Sequence, residues 1–323
     1  MNKELEIWQF AAERLEQNEA VMLLVVAESA GSSPGRQGFK MIVARDELSG
    51  SIGGGVMEVR LVEQAKLRIT NYELRIKTDV VEQVHQKNSP NPSGMICSGR
   101  QTVIFYKLNL QDLTTIRRII RALENQQPRK LRITNYELRI IESEANNSDF
   151  IFNNSGENDF LYEEKLGYKN HLFIVGGGHC ALALSELMSK MDFRISLFDD
   201  RADLNTLDKN RFVHAKRIIE SYEKIDEFIS SGANAYVVVM TLGYKSDEIV
   251  IRKLFDKDFK YLGVLGSLAK MKTLLKNLEK EGFAKERLNK IRTPIGLPIN
   301  SRTPEEIAVS IAAEIIAVKN SNK

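Results

Sequence analysis

Apolar positions along the chain keep two rhythms, runs of strand length and stripes at helical spacing, and their order predicts most of the architecture. Ala20 to Ala27 (AVMLLVVA) is a continuous run and predicts a strand buried on both faces. An amphipathic helix (MNKELEIWQFAAERLEQ) precedes it, and Gly31-Ser32-Ser33-Pro34-Gly35 ends it. Strands are predicted over Lys40 to Ala44 and Ser49 to Ile52. Gly53-Gly54-Gly55 then opens a helix from Val56 to near Ala65, with Val59, Leu61, Val62 and Ala65 on its buried side. Asn88 to Gly94 (NSPNPSG) is turn material, Thr102 to Lys107 a strand and Leu113 to Leu123 a helix.

From Leu172 the alternation becomes regular. Leu172 to Val175 predicts a strand, Gly176 to Gly178 a turn, and Leu184, Leu187, Met188 and Met191 a helix; Ile195 to Phe198 is a second strand that closes on Asp199 and Asp200. A weak strand at Arg211 to Ala215 follows, then a strong one at Ala233 to Thr241, a helix at Ser246 to Phe255, a strand at Tyr261 to Leu265 and a helix at Ala269 to Lys280. Such alternation implies a parallel sheet covered on both sides. Thr303-Pro304-Glu305-Glu306 is a capping box with proline at the first helical position, and it opens a helix whose buried stripe is Ile307, Ile311 and Ile315. The fold class is therefore α/β: an N-terminal mixed α/β domain, residues 1–165, and a C-terminal Rossmann-like domain with a parallel sheet, residues 166–323. Residues 143–165, rich in Asn, Ser and acids at their start, read as a linker.

One element breaks the pattern. Lys66 to Ile76 (KLRITNYELRI) recurs letter for letter as Lys130 to Ile140, with unlike flanks. The simplest account is copying of a short segment into places that could absorb it. The first copy is expected to prolong a helix and the second to be strand-like, because context overrides propensity.

Candidate chemistry sits in the glycines. Gly176, Gly178 and Ala181 form the G-x-G-x-x-A pattern of a dinucleotide-binding βαβ unit: a tight turn, close approach to a phosphate, and close packing of helix on strand. His179 lies beside that loop, and Asp199 or Asp200 is placed to meet a ribose hydroxyl, so NAD(P) or another nucleotide is the ligand this unit suggests. Gly53 to Gly55 make a second strand-to-helix junction. It serves either as an anion site at a helix N-terminus or as a tight turn needing positive φ.

Bulk properties narrow the class. Length fits two domains. A formal net charge of +3 without a dense Lys/Arg tract argues against nucleic acid. The first residues do not resemble a signal peptide, and no apolar run approaches the ~18 residues that span a bilayer, so a cytoplasmic protein without membrane partners is expected. Cys97 and Cys180 give no disulfide framework, and nothing resembles C-x-x-C or H-x-x-x-H metal spacing.

Three stretches, Gly31 to Met41 with Gly50 to Glu58, Gly94 to Gly99 (GMICSG), and Pro294 to Val318 (PIGLPINSRTPEEIAVSIAAEIIAV), together resemble the xanthine dehydrogenase accessory factor family of the XdhC/CoxI type. The resemblance implies a cofactor chaperone rather than a turnover enzyme. Such a protein binds molybdenum cofactor (molybdopterin with its metal), supports its sulfuration by a cysteine desulfurase, and delivers it to a molybdenum hydroxylase such as xanthine dehydrogenase, working as a homodimer. On this reading Gly53, Gly54 and Gly55 suit the terminal phosphate, Ser32, Ser33 and Arg36 supply donors, and Glu58 is oriented toward the same loop. Cys97, in the segment matching the family's G-M-I-C-G-G pattern, is the thiol expected at the molybdenum or its transferable sulfur, against the alternative of a buried packing residue; Cys180 is expected to pack. The chain departs from the family where Gly35 precedes Arg36 in the first loop, and where Leu242 and Leu268 stand at positions commonly His and Arg.

The rival readings are a nicotinamide-dependent oxidoreductase and a nucleotide-sensing module. The first needs a proton donor near the hydride site, and His85, His171, His179 and His214 show no catalytic spacing. The second leaves the N-terminal glycine loops unexplained.

Overall fold

The computed structural model describes residues 3–70, 77–85, 99–143, 148–156 and 159–321. The chain divides into two compact units at Gly167/Tyr168.

The first unit is organised on β1 (Val21–Gly31), whose first seven residues are all buried, as its unbroken apolar run requires. It lies at the centre of an antiparallel sheet with β2 (Lys40–Val43) and β3 (Leu48–Gly50) on one side, and β5 (Gly99–Leu108) and β4 (Thr78–His85) on the other, in the order β3-β2-β1-β5-β4. One face packs on α1 (Lys3–Glu16) and α3 (Leu113–Glu124) through Trp8, Leu15, Leu23, Tyr106 and Ile116. The other face, with Leu24, Met41 and Phe105, receives α2 (Gly55–Thr70).

Met57, Leu61, Ala65 and Ile69 face inward on α2 at four-residue spacing. Val59 is a correction to the sequence reading: it lies on the opposite side of the helix and is 57% exposed.

Residues 148–156 and 159–165 also correct the sequence reading, for they are not a linker. β8 (Phe150–Gly156) and β9 (Asp159–Lys165) pair as antiparallel strands and join β6 (Arg129–Thr134) and β7 (Leu138–Glu142) in a second sheet, ordered β7-β6-β9-β8. The polar composition that suggested a linker belongs to the exposed end of β8, whereas Phe160 and Tyr162 on β9 are core residues.

The repeated segment falls on both kinds of structure. Lys66 to Thr70 end α2, while the identical Lys130 to Thr134 form β6. Leu67 is 67% exposed and its counterpart Leu131 fully buried, so the sheet supplies what propensity leaves undecided. Residues 71–76 of the first copy lie outside the described residues.

The second unit carries five parallel strands, β10 (Asn170–Val175), β11 (Phe193–Asp199), β12 (Ala215–Ile218), β13 (Gly232–Val239) and β14 (Phe259–Val264), in the order β12-β11-β10-β13-β14. The strand expected at Arg211 to Ala215 begins only at Ala215. The helices are α4 (His179–Met188), α5 (Asn205–Lys209), α6 (Tyr244–Leu254), α7 (Leu268–Lys280), α8 (Lys285–Leu288) and α9 (Pro304–Asn320). α4 and α9 cover one face and α6 and α7 the other. The capping box at Thr303 and Glu306 forms as the sequence predicts.

Two histidines are built into this unit away from its glycine turn. His171 Nε2 lies 2.8 Å from Ser196 Oγ, with its ring stacked on Phe173, and His214 Nδ1 accepts from Ile195 N at 3.0 Å. Burial, then Arg194 and His214, push His171 down to about 4. A base whose folded pKa is depressed contributes its full stability above the unfolded value near 6.5 and loses it as pH falls toward 4. Between pH 7 and pH 5 the C-terminal unit is expected to lose about 1–2 kcal/mol to this group, allowing for its partial contact with solvent. Urea titrations at the two pH values test this: the drop should shrink in His171→Phe, and an equal drop in both proteins would refute the assignment.

Candidate functional site

In the first unit the glycine stretches that are far apart in sequence come together. β1 ends by pairing Gly31 with Gly99, the first residue of β5. A Cβ on Gly99 would stand 2.6 Å from Ser33 N, and one on Gly53 would stand 2.6 Å from the Pro34 carbonyl carbon, so backbone lies directly on backbone. Three loops therefore close on one another at one end of the five-stranded sheet: residues 31–38, residues 50–55 and the start of β5.

The side chains divide into holders and exposed groups. Ser33, 3% exposed, donates to Gln101 Oε1 at 3.0 Å, and Gln101 Nε2 donates onward to Gln83 Oε1 at 3.0 Å. Glu58 reaches back from the first turn of α2, and its Oε2 accepts from Ser51 Oγ at 2.7 Å, Ile52 N at 2.8 Å and Gly54 N at 2.9 Å. Burial alone would raise this carboxyl, but the Ser51 hydroxyl and the amides of Gly54, Ile52 and Gly53 outweigh it and hold Glu58 below the usual range. Ser51 Oγ in turn accepts from Gly53 N at 3.1 Å. Ser32 and Arg36 are exposed, and Arg36 Nη1 donates to Gly31 O at 3.4 Å.

Gly54 and Gly55 have φ of +77° and +72° with nothing within 4 Å of an added Cβ, which makes them an open stretch of backbone. The loop amides of Ile52 and Gly54 are already taken by Glu58. The first-turn amides of α2, from Gly55 onward, are the donors that this helix N-terminus offers to an anion.

Sequence reasoning missed Gln101 and Ser51. Ser51 could have been found as the hydroxyl just before the glycine triplet, whereas Gln101 gave no signal within an ordinary strand. Cys97, two positions before Gly99, lies outside the described residues.

In the second unit the G-x-G-x-x-A turn forms between β10 and α4, with Gly178 as the N-cap of α4. Gly176 packs on the Met240 carbonyl at the end of β13, and His179 is exposed. Asp199 is fully buried. Its Oδ2 accepts from Gly177 N at 2.6 Å and Arg201 Nη2 at 2.8 Å, and its Oδ1 accepts from Arg201 N and Arg201 Nε, each at 2.9 Å. Burial would raise the carboxyl, and these donors outweigh it and lower it.

In the first turn of α6, Asp247, 2% exposed, accepts from Thr241 Oγ1 at 2.6 Å, with Lys270 Nζ 3.8 Å away; burial raises its carboxyl, partly offset by these partners. Leu242 and Leu268 beside it are 79% and 68% exposed. Cys180 is a half-buried free thiol pushed up by burial and by Glu305, and it packs against the α4–α9 core. Among the described residues no cluster of three His, Cys, Asp or Glu could hold a metal ion, and no helix is long and apolar enough to cross a membrane.

Both glycine loops fall within stretches that match known families. Residues 14–76 match the family model described as the XdhC and CoxI family, and residues 172–315 match that of the XdhC Rossmann domain. The chain belongs to the XdhC and CoxI family. Among curated proteins it is 30% identical over 161 residues to a probable xanthine dehydrogenase subunit of Bacillus subtilis, covering 49% of this chain and 46% of that protein. It is 22% identical over 319 residues to the uncharacterized protein YqeB of Escherichia coli, covering 98% of this chain and 47% of that protein. The chain thus spans about half the length of the curated relatives it matches. A crystal structure described as a xanthine dehydrogenase from Bacillus halodurans aligns over 100% of this XdhC/CoxI chain and 97% of that one, with a TM-score of 0.73 and 21% identity, and so shares its fold.

Proposed function

We propose that this protein is a cytoplasmic accessory factor for a molybdenum hydroxylase of the xanthine dehydrogenase type: it binds molybdenum cofactor, supports its sulfuration by a cysteine desulfurase and delivers it to the client, working as a homodimer. Family membership supports the accessory role. The observation that carries cofactor binding is the meeting of three glycine-bearing loops around the open backbone of Gly54 and Gly55. The residues fit the group at its phosphate end: first-turn amides of α2, Arg36 and Ser32 offer donors, while Ser33 and Glu58 hold the loops in place. The cofactor, when bound, supplies the oxo or sulfido metal centre. This chain's part is to bind, orient and shield it.

Purification under strict anoxia, followed by molybdenum analysis and fluorescence of the oxidised pterin, tests the reading. Roughly one pterin per chain is expected, without hydride transfer to or from a nicotinamide; absence of pterin from protein made in a molybdopterin-producing host would refute it. The two cysteines refine the test. Cys97→Ser is expected to keep the fold, since the change is nearly isosteric, and to lower cofactor retention or client activation. Cys180→Ser should change neither. Equal behaviour of the two at matched melting temperature would return Cys97 to a packing role.

A further inference from the structure

We infer that the ribose subsite of this protein's Rossmann unit is closed to dinucleotides by its own side chains, and that its ribose-binding acid has become a structural one. A dinucleotide site of this fold needs a free carboxylate at the end of the second strand and an open approach to the glycine turn. This chain has the carboxylate, Asp199, and has used it. A carboxylate offers about four acceptor positions, and four donors already fill them: Gly177 N, Arg201 N, Arg201 Nε and Arg201 Nη2. The Arg201 contact is side-on and charge-assisted, the strong kind of pairing, and Asp199 is left with no exposed surface.

The turn is covered at Gly177 as well, while Gly178, with nothing within 4 Å of an added Cβ, stays open on the phosphate side. Thr206 Oγ1 donates to Gly177 O at 2.6 Å, which fixes the segment after β11 over the glycines. Leu207, 2% exposed, then lies so close to Gly177 that a Cβ there would stand 2.5 Å from Leu207 Cδ2. Tyr222, 4% exposed, lies beside Asp199 and Asp200. A ribose diol entering here would have to displace an arginine, a leucine and a backbone-anchored threonine together. Asp200, one residue on, is a poor substitute acceptor, with its Oδ1 3.8 Å from Arg201 Nε and its place outside the glycine turn.

The closure lies in the C-terminal unit alone and does not depend on cofactor binding by the N-terminal loops. Titration of the full chain with NADH and NADPH by fluorescence, and with ADP-ribose by calorimetry, each to about 1 mM, is expected to give no saturable binding; a Kd below about 0.1 mM for any of them overturns the inference. Arg201→Ser combined with Leu207→Ala frees the carboxylate and uncovers Gly177, and the folded double variant is expected to gain NADH affinity by about tenfold or more. A double variant that is folded by circular dichroism and still binds no better than wild type overturns the assignment of the closure to these side chains. Asp199→Asn gives an independent reading without ligand: its melting temperature should fall by about 5 °C or more as the buried pair is broken, and an unchanged value overturns the structural role.

Discussion

Gly54→Val is expected to leave the N-terminal unit folded and empty of pterin, while Gly53→Val is expected to break the unit itself. The two glycines are neighbours in one loop and both have positive φ, +129° at Gly53 and +77° at Gly54. They differ in what a side chain would meet. At Gly53 it would run into the backbone of Pro34 and Gly35, which cannot swing aside as a side-chain tip can, and Gly35 is itself packed against the Ile52 carbonyl and Gln101. The cost is that of strained φ plus forced backbone movement, above about 3 kcal/mol. At Gly54 nothing lies within 4 Å, so only the left-handed conformation is charged, about 1–2 kcal/mol, and the new isopropyl group stands where a ligand would approach. Melting temperature and pterin content of the two variants separate loop integrity from ligand approach. A folded Gly54→Val protein that keeps its pterin would show that the loop is only a turn, and an unchanged melting temperature in Gly53→Val would show that the three loops are not mutually supported.

The same contrast marks how far the sequence could be read. Periodicity located β1, α2 and four of the five strands of the parallel sheet, because burial on both faces or on one helical stripe leaves a direct imprint on residue order; exposed β12 leaves none and was placed too early. The GxGxxA turn and the capping box were legible for a similar reason, each being a local arrangement with a local signature. β8 and β9 were not, since half-polar strands of a second sheet, β8 at its edge and β9 inside it, owe their structure to partners elsewhere in the chain. The identical KLRIT segments make the point most directly, one helical and one extended. At the candidate site the glycines were visible, but their division into structural and open positions was not, because it depends on which backbone approaches which. Asp199 shows the limit from the other side. Its position at the end of β11 matched the ribose-binding acid, and only the placement of Arg201 and Leu207 reveals that the carboxylate is spoken for.

Lys40→Met is expected to destabilise the N-terminal unit by about 3–5 kcal/mol, the range for removing one member of a buried ion pair. Lys40 opens β2 and is 5% exposed. Its Nζ lies 2.5 Å from Glu164 Oε1 and 2.9 Å from Glu4 Oε1, and it also donates to Gly38 O at 3.1 Å. Burial would lower this ammonium, but Glu164 and Glu4 together outweigh burial and hold it well above the ordinary lysine range. Glu164 is fully buried and also accepts from Tyr162 Oη at 2.9 Å, while Glu4 Oε2 accepts from Gly167 N at 2.9 Å. The cluster thereby joins α1, β2 and β9, and with them the two sheets of the unit. Methionine keeps the length of the side chain, so the expected loss comes chiefly from stranding Glu164 and Glu4 without a cation rather than from a cavity. Adding Glu164→Gln to Lys40→Met should therefore recover part of the loss, which a cavity would not allow. The effect should also reach the candidate site, because the Lys40 carbonyl accepts from Ser51 N at 2.9 Å and Met41 pairs with Gly50, the residues that lead into the glycine triplet. Thermal melts of the single and double variants with pterin content measured alongside decide it: a single variant within about 1 kcal/mol of wild type would show that the cluster is not what ties the two sheets together.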